Sequence, residues 1–240
     1  MKKILAIILC LIVLTCCGCW DKVEIDRNAF VSSIGIDAGK DIKNKKEEQQ
    51  AKPDEPFAER ELEKLDVTYA FPDISKYSAQ NTQIPSDKQV KAKGYSLEDA
   101  MTKAAAKTSR VLDLGHAQLL ILSQDLLQYE ETLSQIMDYL ARNPRLNRNM
   151  YVMVCEGTID EFFNFKLGME NTLGAYITGL MENSKRNASI IPVKLSEFFI
   201  LLSQNGNAIV PAIKIDKEMN EMVIDGIAII KQYKMVGLLS

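Results

Sequence analysis

The chain has 240 residues, of which 47% are hydrophobic and 25% charged, and its 29 basic and 32 acidic side chains leave a net charge of −3. These proportions exclude a disordered polyelectrolyte and a membrane protein with several spans, and they predict one or two globular domains. No basic block is long enough to follow a phosphate backbone, which argues against nucleic-acid binding. Four of the five cysteines lie within the first nineteen residues, so the body of the chain contains no disulfide framework.

The N-terminus has the pattern of an export signal. Lys2 and Lys3 precede an uncharged apolar run, Ile4 to Cys17, whose fourteen residues fall short of the roughly 20 that span a bilayer. Gly18 then supplies a small residue immediately before Cys19. We therefore expect residues 1–18 to be a signal peptide.

Gly18 and Cys19 resemble the lipobox of bacterial lipoproteins, in which the cysteine thiol is diacylated before the signal peptide is cut. The third position before the cleavage site is Cys16, where that pattern prefers Leu. Cys16 and Cys19 also have the C-x-x-C spacing of a redox or metal site, but no strand and helix surround them. We expect Cys19 to carry an S-diacylglycerol and an N-acyl group. The diacylglycerol alone supplies two acyl chains, which hold a protein firmly on a membrane.

The first strands are predicted from an alternation of apolar and polar residues. Phe30, Ile34 and Ile36 alternate with small or polar neighbours, and the segment from Leu65 to Phe71 repeats the pattern until Pro72 ends it. Residues 41–64 between them are dominated by Lys, Glu, Gln and Pro. Such a segment cannot bury enough apolar surface to order itself, so we expect a solvated loop inserted in a strand pair, with a recognition segment as the alternative.

A helix is predicted to begin at Ser96. Asp99 follows three residues later, which is the spacing of a capping box. Apolar or small residues then recur at intervals of three and four as far as Leu112. This spacing predicts an amphipathic helix packed on a sheet.

The middle of the chain predicts two buried strands joined by a helix. Ala117 to Leu122 and Met150 to Cys155 are nearly uninterrupted apolar runs of strand length. Leu126 to Leu140 has helical spacing and ends before Pro144.

The remaining elements continue the alternation of helices and strands. We expect helices at Thr158–Phe163, Thr172–Glu182 and Leu195–Ser203 and strands at Ala208–Ile215, Met222–Ile230 and Met235–Leu239. The fold class is thus α+β, with mixed sheets and packed amphipathic helices. The polar segment from Glu182 to Pro192 is the predicted boundary between an N-terminal mixed α/β domain, residues 19–190, and a second, small α/β domain, residues 191–240.

Motifs that carry catalysis are absent from the sequence. There is no G-x-S-x-G, H-E-x-x-H, P-loop or G-x-G-x-x-G pattern, and the single histidine, His116, excludes a site with two histidine ligands. A Cys155–His116 nucleophile pair is formally open, although an apolar run around Cys155 favours an inert core thiol and His116 a structural role. We predict no catalytic, metal or cofactor-binding residue and no enzymatic activity.

Seven segments, in order along nearly the whole chain, resemble the Ger(x)C family, the lipoprotein C subunits of bacterial spore germinant receptors. They are Cys19 to Ile25 with Ile34 to Asp37, Asp66 to Pro72, Gly94 to Ala100, Leu114 to Gln118, Tyr139 to Arg145, Val210 to Pro211, and Gly226 to Lys231 with Val236 to Leu238.

The resemblance implies a lipid-anchored, non-enzymatic subunit of a nutrient germinant receptor that acts in spore germination. It implies two integral-membrane partners, the A and B subunits, and a location on the outer face of the cell membrane, which is the inner membrane of the spore. It also implies a three-domain α/β architecture. Members usually continue well beyond the V-G-L segment, so with Ser240 as the last residue we expect the third domain to be absent. The alternative is a solute-binding lipoprotein that captures a small nutrient on its own.

Overall fold

The computed structural model describes residues 27–43, 62–73, 86–168, 170–187 and 190–239. The predicted signal peptide, Cys19 and most of the polar loop at 41–64 lie outside these ranges.

The described part of the chain contains ten strands and five α-helices. The strands are β1 (Asn28–Phe30), β2 (Ser33–Ala38), β3 (Leu65–Pro72), β4 (Asp87–Gly94), β5 (Val111–Asp113), β6 (Leu119–Ser123), β7 (Tyr151–Cys155), β8 (Ala208–Asp216), β9 (Glu221–Lys231) and β10 (Lys234–Leu239). The helices are α1 (Leu97–Ala106), α2 (Glu130–Arg142), α3 (Ile159–Phe163), α4 (Leu173–Asn187) and α5 (Leu195–Asn205), and a 3-10 helix, Leu126–Gln128, precedes α2.

Eight of the strands form one mixed sheet in the order β10-β9-β8-β7-β6-β2-β3-β4. The four central strands β8, β7, β6 and β2 run parallel, and both flanks are antiparallel. Strands β1 and β5 form a separate parallel pair. The predicted α+β class and the pairing of the two strands that flank the polar loop are confirmed.

Helices cover both faces of this sheet, and each face has its own apolar cluster. Helices α1, α2 and α5 pack with Leu120 and Leu122 of β6, whereas α3 and α4 pack with Leu119 and Ile121 of the same strand. Every residue of β6 and β7 is buried. This is the burial that the uninterrupted apolar runs predict for strands covered on both faces.

Helix α1 is shorter than the apolar spacing predicts. It ends at Ala106, and Leu112 belongs to β5 instead. The Thr108 hydroxyl accepts a hydrogen bond from the Arg110 amide at 3.1 Å. Local bonds of this kind compete with helical hydrogen bonds and so favour a turn.

The sheet is continuous across the predicted domain boundary. Helix α4 extends to Asn187, and β8 pairs with β7 through Val154–Ala212 and Cys155–Ile213. The division between residues 190 and 191 stays a prediction. Within the described ranges, no helix is both long enough and apolar enough to cross a membrane.

Candidate functional site

Of the residues that the sequence singles out, Cys19 lies outside the described residues, and its acylation stays a prediction. His116 is exposed, and its ring meets that of Phe30 edge to face with centroids 4.9 Å apart. Cys155 is fully buried, and burial raises the pKa of its thiol, with a smaller contribution from the Asp37 carboxylate. A buried thiol with a raised pKa is a poor nucleophile.

The structure contradicts a Cys155–His116 pair. His116 lies before the start of β6, whereas Cys155 pairs with Ser123 at the opposite end of the same strand. The two residues therefore lie toward opposite ends of β6. Among the described residues, no three His, Cys, Asp or Glu side chains are grouped so as to hold a metal ion.

A cleft with a volume of about 530 Å³ lies between the first turn of α1 and the side of α2. Two of the segments that resemble the Ger(x)C family, Gly94 to Ala100 and Tyr139 to Arg145, meet there. The lining residues are Leu65, Tyr95, Ser96, Leu97, Glu98, Thr132, Gln135, Ile136, Asp138, Tyr139, Arg142 and Asn143. The volume lies within the range typical of small-molecule sites.

The α1 wall of the cleft is fixed by a capping arrangement. The Ser96 hydroxyl accepts a hydrogen bond from the Asp99 amide at 3.2 Å, and the Asp99 carboxylate accepts one from the Tyr95 amide at 3.0 Å. A Cβ at Gly94 would lie 2.6 Å from the Ala100 nitrogen, so only glycine allows this close approach of strand and helix. The turn thereby holds Tyr95 and Glu98 at the cleft.

The α2 wall carries an ion pair and the end of the helix. The Arg142 Nη2 atom lies 2.9 Å from Asp138 Oδ1, one turn earlier. Helix α2 ends where Asn143, before Pro144, takes an extended conformation. The Arg148 guanidinium donates to the Ala141 carbonyl at 2.7 Å, which satisfies one of the last carbonyls of the helix.

Inside the cleft, an apolar floor lies beneath a polar rim. Leu65, Leu97 and Ile136 are buried. Tyr139 is half-buried, and its pKa is raised first by desolvation and second by the nearby Glu98 carboxylate. The lining residues include no Ser or Cys nucleophile next to a histidine base. An apolar floor beneath a polar rim is a typical composition for a small-molecule binding site.

Sequence reasoning did not identify this cleft as a site. Tyr95 and Glu98 belong to one of the segments that resemble the family and Tyr139 to another, and nothing in their spacing shows that α1 and α2 are neighbours. The available signal was the resemblance of both segments to one family.

Comparisons with known proteins identify a family model and several relatives that match this chain. Residues 21–215 match the family model described as the spore germination protein N-terminal domain. Spore germination protein GerQC of Bacillus cereus is 24% identical over 149 residues, which cover 60% of this chain and 40% of that protein. The putative spore germination protein YfkR of Bacillus subtilis is 24% identical over 250 residues, covering 99% of this chain and 57% of that protein.

Spore germination protein B3 of Bacillus subtilis is also 24% identical, over 233 residues that cover 95% of this chain and 55% of that protein. The chain therefore spans less than two thirds of the length of these relatives. Among solved structures, the crystal structure of the GerBC protein matches with a TM-score of 0.39 and 18% identity, over 73% of this chain and 48% of that one.

Proposed function

The chain belongs to the spore germination protein N-terminal domain family, and we propose that it acts in spore germination as a lipid-anchored, non-enzymatic subunit of a nutrient germinant receptor. The resemblance to the Ger(x)C family is thereby confirmed. The match over residues 21–215 is the observation that carries the proposal. Relatives that cover 95% and 99% of this chain are also named spore germination proteins.

In this proposal, Cys19 carries the lipid that holds the folded domain on the outer face of the cell membrane, which becomes the inner membrane of the spore. The integral-membrane A and B subunits of the receptor are its partners. The cleft between α1 and α2 supports a binding role, since it combines an apolar floor with a charged rim and lacks a nucleophile with its base.

The lipid anchor is tested by metabolic labelling with palmitate and by mass spectrometry of the N-terminal peptide. We expect the wild-type protein to begin at Cys19 and to carry a diacylglycerol and an N-acyl chain. Cys19→Ser removes the thiol that forms the thioether, so labelling should disappear.

Cys17→Ser is the matched control, because it removes a thiol two residues away while leaving the acylated position intact. Labelling should persist in this variant. Persistent labelling of Cys19→Ser, or a mature wild-type N-terminus without lipid, would contradict the anchor.

The partners are tested by purification under mild detergent. We expect the tagged protein to retain the A and B subunits, whereas a solute-binding lipoprotein would work without them. Repeated recovery of the protein without either subunit would contradict the receptor role and favour the solute-binding alternative.

A further inference from the structure

Glu98 places a carboxylate at the mouth of the cleft. Glu98 lies in the first turn of α1, and its side chain is exposed. The carboxylate of its neighbour Asp99 accepts a hydrogen bond from the Tyr95 amide and forms an ion pair with Lys103 at 2.7 Å. Within the part of the chain that the structure describes, Glu98 has no such hydrogen bond or ion pair through its carboxylate.

The other side chains that line the cleft do not cancel this negative charge. Arg142 lies at the rim, but it pairs with Asp138, so these two side chains together contribute no net charge. The C-terminal end of α2 lies at the same rim with Arg142 and Asn143. The partial negative charge of this helix end is offset by the Arg148 guanidinium on the Ala141 carbonyl and by the partial positive charge of the first turn of α1, where Glu98 lies. The charged side chains that line the cleft thus leave the single negative charge of Glu98, which favours a cation over an anion beside it.

The aromatic side chains of the cleft favour the same sign of charge. Tyr95 and Tyr139 both line it. The Lys64 ammonium lies 4.5 Å from the centroid of the Tyr95 ring, so this ring already has a cation from the chain itself and Tyr139 is the ring left for a ligand. A carboxylate beside a tyrosine ring is a combination that recognises ammonium groups.

We propose that the cleft binds a small organic cation, with its ammonium group between Glu98 and the ring of Tyr139 and its apolar part on Leu65, Leu97 and Ile136. A volume of about 530 Å³ accommodates such a molecule together with water. The proposal concerns the cleft alone and goes beyond the proposed role in germination. The labelling and purification experiments test that role separately.

The test is calorimetric titration of the purified full chain with four probes of similar size: n-butylammonium, tetramethylammonium, 1-butanol and butyrate. The two cations should bind saturably, and the neutral and anionic probes at least tenfold more weakly. Raising the ionic strength should weaken binding of the cations, because the rim charges are exposed to solvent. Equal binding of butanol or butyrate, or no saturable binding of either cation, would overturn the proposal.

Variants locate the site. Glu98→Gln should weaken binding of n-butylammonium at least tenfold, whereas Glu130→Gln, which makes the same charge change at the other end of α2 outside the cleft, should leave it within twofold. Tyr139→Phe keeps the ring and should retain binding, and Tyr139→Leu should lose it. Near-UV circular dichroism of each variant shows that the fold is kept. Unchanged binding in Glu98→Gln, or an equal loss in Glu130→Gln, would contradict the assignment.

Discussion

Gly35 lies where β2 is covered directly by α3. A Cβ at this position would lie 2.6 Å from the Phe163 ring and closer still to the Ile159 side chain. Two residues later in β2, the Asp37 carboxylate accepts a hydrogen bond from the Ile159 amide at 3.3 Å. The glycine and the aspartate of the Ile34 to Asp37 segment thus both serve the docking of α3 on the sheet.

Replacing Gly35 with Ala should destabilise the protein by about 1–3 kcal/mol, because the extra methyl group forces α3 away from β2. Urea denaturation measures this cost. Gly179→Ala is the control, since Gly179 is exposed on α4 and a Cβ there meets nothing within 4 Å. That substitution should instead stabilise by up to about 1 kcal/mol through helix propensity. Equal effects of the two substitutions would refute the packing argument.

At the scale of single residues, the burial of Cys155 can be predicted from the sequence, but the roles of Gly35 and Glu98 cannot. An apolar run around a thiol already predicts its inertness. The role of Gly35 depends instead on a helix that lies more than a hundred residues further along the chain. The spacing of apolar residues within one segment does not indicate contacts between segments that are so far apart in the sequence.

Helix α1 begins where the sequence predicts. Ser96 is its N-cap, as the spacing to Asp99 indicates. Ser96→Ala should cost about 1 kcal/mol, because the Asp99 amide loses its acceptor. Thermal and urea unfolding measure the loss, and Ser96→Asp should restore most of it.

Ser134→Ala provides the comparison for this prediction. Ser134 lies within α2, away from either end, where alanine has the higher helix propensity. The stability of this variant should equal or exceed that of the wild type. A loss as large as that of Ser96→Ala would show that capping does not explain the effect.

Strand β4, with eight residues, is the longest element that the sequence pattern did not predict. It contains Lys88, Lys91 and Lys93 and lies at an edge of the sheet, where charged side chains are favoured because they prevent association with other strands. Tertiary contacts hold it in place: Gln89 donates to the Phe163 carbonyl at 2.6 Å, and Lys91 pairs with Asp160 at 2.6 Å. A polar edge strand has neither the alternation nor the apolar run from which strands are predicted.

At the scale of the whole molecule, the order of helices and strands follows from the sequence, but their arrangement in space does not. Strand β2 pairs with β6, although β3, β4, α1 and β5 lie between the two along the chain. The same arrangement places α1 beside α2 and forms the cleft. Only the pairing of strands reveals which helices become neighbours, and local periodicity contains no information on pairing.

The continuous sheet predicts that residues 191–239 unfold together with the rest of the described structure. Phe198 of α5 is fully buried in the cluster that also contains Leu120 of β6 and Val152 of β7. Phe198→Leu should lower the free energy of unfolding by about 1–2 kcal/mol, since it removes buried apolar volume. In a single cooperative unit, the most protected amides of β6 and β7 should then exchange with solvent roughly tenfold faster for each 1.4 kcal/mol lost.

Ile200→Ala is the control for this prediction, because the Ile200 side chain lies on the same helix but is 57% exposed. This substitution should leave the exchange of the β6 and β7 amides nearly unchanged. Faster exchange in β8 and α5 with unchanged exchange in β6 and β7 would instead show two independent domains that meet near residue 190, as the composition of the segment from Glu182 to Pro192 predicts.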